Sequence, residues 1–256
     1  MFAYVGESKL SSKYLSSTLD YIRLLVVIVI LSLLALFVIT GDERPWFLAS
    51  SGVIAILALI NYIDLKSGSW SKFSLMMLIA MICGFIGDLL MNGIFYITPT
   101  AIINGVMFFS IGHIFYLFAL KDRSPLLLKP KESEGSRLIN RNLFIWIVCI
   151  IAVILLIFFT AFNPADIVLS AGFFGYGILL VSVFGFSLAK WFEEYPRGFR
   201  LLLIIGFFMF IFSDWLIGVH TMTDSNFLSG PWVGITYIFA QLPIHLSTFL
   251  GARGSD

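Results

Sequence analysis

Residues 73–97 read FSLMMLIAMICGFIGDLLMNGIFYI, and in that whole stretch Asp88 is the single charged residue. A helix that crosses a bilayer needs about 20 mainly apolar residues at about 1.5 Å of rise each, so this run is long enough with residues to spare. Seven runs of the same kind flank it, at 22–39, 46–63, 100–120, 143–163, 167–190, 200–220 and 231–250. Pro45, Pro99, Pro164, Pro196 and Pro231 fall at or near the breaks, where proline starts or stops helices. The reading is an all-α polytopic membrane protein, one transmembrane domain of eight helices over residues 1–250. Residues 251–256 are set aside as a short tail that an expression vector could have supplied.

Composition agrees. The 256 residues are 59% hydrophobic and 12% charged, against about 45–50% and about 25% in ordinary globular chains. That little charge cannot cover a soluble surface. The net charge of +1 gives no reason to expect nucleic acid as a partner. Cys83 and Cys149 both sit in apolar runs and read as buried free thiols. No cleavable signal pattern precedes the first span, and the first 20 residues read as a short polar lead.

The basic residues test the span count. With both termini in the cytoplasm, fifteen of the sixteen Lys and Arg fall on the cytoplasmic side, six of them in the 121–142 loop, and Arg44 alone falls on the other. A wrong count would scramble that partition. The chain is therefore expected to be multi-pass, in a bacterial inner membrane, with both ends inside.

Thirteen of the fifteen acidic residues lie in loops, termini or span ends; Asp88 and Asp214 lie inside apolar runs. An intramembrane acid with no basic residue in reach is a functional candidate. Asp88 stands 16 residues beyond Lys72 and Asp214 stands 14 beyond Arg200, which at 1.5 Å each is roughly 24 and 21 Å above those markers. The two could face each other. They could also be protonated carboxyls serving only as interhelical hydrogen-bond glue.

Polar company strengthens the first view. Asn92 is four residues beyond Asp88, on the same helical face. His113 and Tyr116 share a face of span 4, Ser213 precedes Asp214, and Tyr237, Gln241 and His245 make a stripe on span 8. Asn104 lies in the outer part of span 4. Such a stripe must face the bundle interior or a wet cavity, so a polar chamber of spans 3, 4, 7 and 8 is expected. Ile86 to Leu90 in span 3 resembles Phe212 to Leu216 in span 7, four spans on. Two parallel four-helix repeats would explain it, with a site at their interface. No metal-ligand spacing, phosphate-binding loop or nucleophile-elbow signature occurs; neither a metal nor a cofactor is expected.

The ordered set Gly87-Asp88, His113 to Tyr116, Ser213-Asp214 to Gly218 and Tyr237 to Gln241 resembles the YhhN-like lysoplasmalogenase family. The resemblance covers spans 3 to 8. It departs at Phe73, which follows Lys72 where the family pattern has proline. It implies an intramembrane hydrolase that uses water to cleave the vinyl ether of a lysoplasmalogen, releasing a fatty aldehyde and glycerophosphoethanolamine or glycerophosphocholine, with no metal. Asp88 would be the acid and Asp214 the cation stabiliser and water base, or the reverse. Asn92, Ser213, Tyr237 and Gln241 would orient substrate or water, with His113 and Tyr116 behind them. The expected partners are a lysophospholipid, water and membrane lipids. Three rival readings use the same residues: a proton-coupled transporter with Asp88 and Asp214 as a relay, a non-catalytic lipid-binding protein, and a membrane aspartyl protease, which Phe85 disfavours by occupying a position where a glycine is expected.

Overall fold

The computed structural model describes residues 18–40, 43–121, 134–223 and 231–254. Over these the chain forms α1 (Thr18–Thr40), α2 (Glu43–Leu65), α3 (Ser71–Met91), α4 (Ala101–Lys121), α5 (Glu134–Ala161), α6 (Ile167–Ala189), a 3-10 turn (Lys190–Phe192), α7 (Arg197–Thr223) and α8 (Pro231–Gly254). All eight α-helices are long and apolar enough to cross a membrane, and the chain is a multi-pass membrane protein. The polar lead 1–17, the loop segment 122–133 that holds much of the basic charge, and residues 255–256 lie outside the described residues.

Helix boundaries move in three places. α3 ends at Met91, six residues before the apolar run does. Gly93 adopts φ +72°, its N–H reaches the Leu90 carbonyl at 3.1 Å, and the Ile94 N–H reaches Leu89 at 3.0 Å. This is the Schellman stop that glycine favours. Asn104, buried on α4, then pins the connection by accepting from the Thr98 N–H at 2.8 Å and donating to the Thr98 carbonyl at 2.9 Å. Ile94 to Ile97 is an exposed apolar connection. α5 begins at Glu134, so the C-terminal part of the expected 121–142 loop is helix. α8 continues to Gly254, with Gly251 and Ala252 buried and Arg253 ion-paired to Asp20 at 3.2 Å; the segment set aside as a tail is thus built into the bundle through residue 254. Cys83 and Cys149 are free and half-buried, less enclosed than expected.

The helix neighbours repeat. α1 packs on α2 and α5 on α6; α2 on α3 and α6 on α7; α3 on α4 and α7 on α8; and, crosswise, α2 on α8 and α6 on α4. Each of these pairs has its counterpart four helices on, as two parallel four-helix repeats would give. The two tightest crossings obey it. A Cβ on Gly112 of α4 would lie 2.9 Å from the Ala80 carbonyl of α3, and one on Gly206 of α7 would lie 2.9 Å from the Ala240 carbonyl of α8. Ala80 and Gly206 each stand eight residues before an intramembrane aspartate. The symmetry is broken where α1 leans on α8 and α5 on α7.

At the end of the bundle that carries both described termini, α1 is latched by charge. Arg23, 3% exposed, donates to Asp20 (2.9 Å), Asp64 (2.6 Å) and Asn61 (2.8 Å), and its guanidinium lies 4.6 Å from the Phe249 ring centroid. A buried arginine requires that many partners. The latch joins α1, α2 and α8 and leaves the opposite end to the site.

Candidate active site

The stop at Met91 places Asp88 in the last turn of α3, about 5 Å from the helix end at 1.5 Å per residue. It sits closer to the end of its helix than an uninterrupted span to residue 97 implies. Asp214 lies nine residues before the end of α7, at the same end of the bundle. Asp88 and Asp214 are 2% and 7% exposed. They line one cavity of about 210 Å³ together with Phe37, Arg44, Phe47, Met91, Asn92, Phe109, Ile217, Val233, Gly234 and Tyr237. The expected chamber of spans 3, 4, 7 and 8 therefore also takes walls from α1 and α2. Asp214 further borders a second, smaller and mostly apolar cavity among α5, α6 and α7.

Each carboxyl is held from two sides. Ser51 of α2 donates its hydroxyl to Asp88, and Tyr237 of α8 hydrogen-bonds the same carboxyl. Tyr176 of α6 donates to Asp214 at 2.5 Å, and the Tyr176 hydroxyl meets His113 Nε2 of α4 at 3.1 Å. These are the crosswise neighbours of the repeat: α2 and α8 around Asp88, α6 and α4 around Asp214. Among the described residues neither aspartate makes an ion pair. The chain of polar groups runs on behind Asp88. Gln241 donates to the Tyr237 hydroxyl at 3.2 Å, the Tyr116 hydroxyl donates to Gln241 Oε1 at 2.9 Å, and that hydroxyl lies 3.2 Å from His245 Nε2. The Tyr237 ring is set by Phe47, Phe109 and Phe210, whose centroids lie 5.5, 6.1 and 5.4 Å away.

Of the residues singled out in the sequence, Asp88, Asp214, Asn92 and Tyr237 line the cavity. Gln241 stands one hydrogen bond behind it, on Tyr237, and Tyr116 and His113 stand two behind it, through Gln241 and through Tyr176. Asn92 reaches the Asp88 backbone carbonyl at 2.9 Å, so it caps α3 as well as lining the wall. Ser213 does not join the group: its hydroxyl, fully buried, donates to the Val233 carbonyl of α8 at 3.1 Å. Asn104 pins the α3–α4 connection. His220 is exposed near the end of α7.

Ser51, Tyr176 and Arg44 escaped the sequence reading as members of the site. Tyr176 carried a usable signal: it lies nine residues from the start of α6, as Asp214 lies nine from the end of α7, so on adjacent antiparallel helices the two share a depth. Ser51 follows Ser50 in an apolar run and looks like an ordinary small residue. Arg44 was read only as a topology marker.

Comparison with known proteins follows from this geometry. The model of the YhhN family matches residues 23–248, which takes in all eight helices and not only the four that carry the short motifs. The chain belongs to the YhhN family, and membership supports a lysoplasmalogenase-like membrane protein at family level. No curated protein matches the chain, and no solved structure does.

Proposed function

We propose that this YhhN-family chain hydrolyses the vinyl-ether bond of lysoplasmalogens, with Asp88 and Asp214 as the acid–base pair. The observation that supports it most is the position of the pair: two carboxyls on one cavity, with Asp88 a single turn from the helix end. In a single-chain ether lipid the vinyl ether lies just below the headgroup, at that depth. A soluble-type serine nucleophile would gain nothing here, because a vinyl ether is no ester.

The reaction needs a proton, a counter-charge and a base. A protonated carboxyl delivers its proton to the β-carbon of the vinyl ether, and the double-bond electrons form the new C–H bond. The α-carbon becomes part of an oxocarbenium ion, which the ionised carboxyl faces, as paired carboxylates do in glycoside hydrolysis. Water adds to the α-carbon and gives its proton to that carboxylate. The hemiacetal then collapses: its hydroxyl proton leaves, the carbonyl forms, the C–O bond to glycerol breaks and the glycerol oxygen takes a proton. One water is consumed; one fatty aldehyde and one glycerophosphoethanolamine or glycerophosphocholine leave. Two carboxyls in one site titrate as a pair, so the two roles belong to the pair. Tyr237, hydrogen-bonded to Asp88 and lining the cavity, orients water or the ether oxygen, and Gln241 holds its hydroxyl.

The test is aldehyde release from lysoplasmenylethanolamine and lysoplasmenylcholine by purified protein in detergent. Wild type is expected to turn over. Asp88→Asn and Asp214→Asn should each lose about 10²–10⁴-fold, the usual worth of a positioned acid or base. Full activity in both variants refutes the mechanism. Absence of turnover on any vinyl ether, with solute uptake driven by a pH gradient in proteoliposomes, would establish the transporter reading instead.

A further inference from the structure

Arg44 stands alone. It is the one basic residue that the charge partition leaves on the side opposite the Lys- and Arg-rich loops, it is exposed, and it lines the same cavity as Asp88 and Asp214. Its place on α2 is electrostatically awkward. It is the second residue of the helix, where the macrodipole favours anions and disfavours cations. A cation there contributes nothing to helix stability, but it sets a guanidinium on the wall of a cavity that also carries two carboxyls.

The spacing fits one class of ligand. Ser51, which bonds Asp88, lies seven residues along α2 from Arg44, about 10 Å at 1.5 Å per residue. In a 1-alkenyl lysophospholipid seven bonds separate phosphorus from the β-carbon of the vinyl ether. At about 1.5 Å each and zigzag, they span about 9 Å. A phosphate at Arg44 therefore puts the carbon to be protonated at the level of the carboxyls. The cavity is about 210 Å³, and an alkenyl chain bound there would run out among the helices.

We propose that Arg44 binds the substrate's phosphate, so that the site takes single-chain phospholipids whose headgroup stands at the Arg44 end of the bundle, in the leaflet opposite the basic loops. The identity of the ligand rests on the hydrolase reading; the phosphate site itself does not.

The experiment separates the two. Binding of a non-hydrolysable 1-O-alkyl lysophosphatidylethanolamine and of the matching phosphate-free 1-O-alkylglycerol is measured on the full-length purified protein, for wild type, Arg44→Ala and Arg44→Lys. Wild type should prefer the phospholipid by about 10–100-fold, the worth of a charge-assisted pair. Arg44→Ala should bring the ratio near one, and Arg44→Lys should keep part of it. In turnover, Arg44→Ala should raise KM for the lysoplasmalogen about as much as it weakens binding, with kcat within a few-fold. An unchanged ratio in Arg44→Ala overturns the phosphate site. Loss of the ratio in Arg44→Ala, with no vinyl ether cleaved by wild type, keeps the site and overturns the hydrolase reading. Cleavage by wild type with KM unmoved in Arg44→Ala does the reverse.

Discussion

Tyr176→Phe removes one oxygen from the molecule and asks whether Asp214 must be held. The hydroxyl bridges Asp214 Oδ2 at 2.5 Å and His113 Nε2 at 3.1 Å, and the ring keeps its place beside His113, 5.6 Å between centroids. The substitution therefore costs little packing. His113 already has Nδ1 buried without a partner, so the variant leaves both ring nitrogens unpaired, while Asp214 borders the cavity and can take water in place of the phenol. A hydrogen bond to a charged group is worth about 1.5–3 kcal/mol, which at about 1.4 kcal/mol per tenfold is about 10–150-fold in rate. The expectation is a fall of that size in kcat for lysoplasmalogen hydrolysis with KM within a few-fold, and a melting temperature in detergent lowered only by what the unpaired His113 ring costs, about 1–3 kcal/mol. In a double-mutant cycle, Tyr176→Phe should add almost nothing to Asp214→Asn, because residues that act as a unit are not additive. Turnover by Tyr176→Phe within twofold of wild type, or full additivity with Asp214→Asn, refutes the idea that Tyr176 positions this carboxyl.

Two further predictions address the scaffold. Gly206→Ala and Gly112→Ala should each destabilise the protein by about 1–3 kcal/mol, as overpacking does, because each new Cβ meets a backbone carbonyl at 2.9 Å; the larger loss of melting temperature is expected for Gly206→Ala, whose Cβ would also lie 2.5 Å from Ile244 Cγ1. Lys190, nearly fully buried, holds Glu193 at 3.0 Å. Burial pushes the Glu193 carboxyl up, Lys190 partly counters it, and Glu193 Oε1 has no partner. A carboxyl raised in the folded state binds more protons there than when unfolded. Its contribution is thus present below the usual Glu range and lost as pH rises through the folded value. Glu193→Gln should remove that pH-dependent loss, and Lys190→Met should steepen it, as read from thermal unfolding between mildly acidic and neutral pH.

The membrane class, the eight spans and the two aspartates were legible because charge is so scarce in this chain that each ionisable residue inside a span stands out. The end of α3 was not read, although Asn92-Gly93 is a helix-stop signal: an apolar run continues past it through Ile94, Phe95, Tyr96 and Ile97, and hydropathy cannot tell a span from an exposed apolar connection. Ser213 was misassigned because neighbourhood in sequence is not direction in space. On a helix the residue before Asp214 points about 100° away from it, and here that direction leads to the Val233 carbonyl. Ser51 and Tyr176 were missed for the opposite reason, since hydroxyls are common in apolar helices and only tertiary contact separates those that meet a carboxyl from those that bond their own backbone. Ser50 is of the latter kind, with its hydroxyl on the Trp46 carbonyl at 2.8 Å.

The repeat explains why there are two carboxyls, and its imperfections explain how they can differ. A strictly two-fold pair would hold its acids in identical surroundings, with nothing to separate acid from base. Here the surroundings diverge at each equivalent contact. The helix before Asp88 offers Ser51 while the helix before Asp214 offers Tyr176. The crosswise helix gives Asp88 a tyrosine directly, Tyr237, but gives Asp214 a histidine that acts through Tyr176. Asp214 alone borders the second, apolar cavity, and the arginine on the shared cavity's wall comes from the first half only. Environments that differ this much are what let two like carboxyls take different roles in one site. Exchanging the partners, as in Ser51→Ala against Tyr176→Phe, should therefore give unequal losses. Equal losses from the two would mean that the pair works as a symmetric unit and that the asymmetry of its neighbours is without consequence for the reaction.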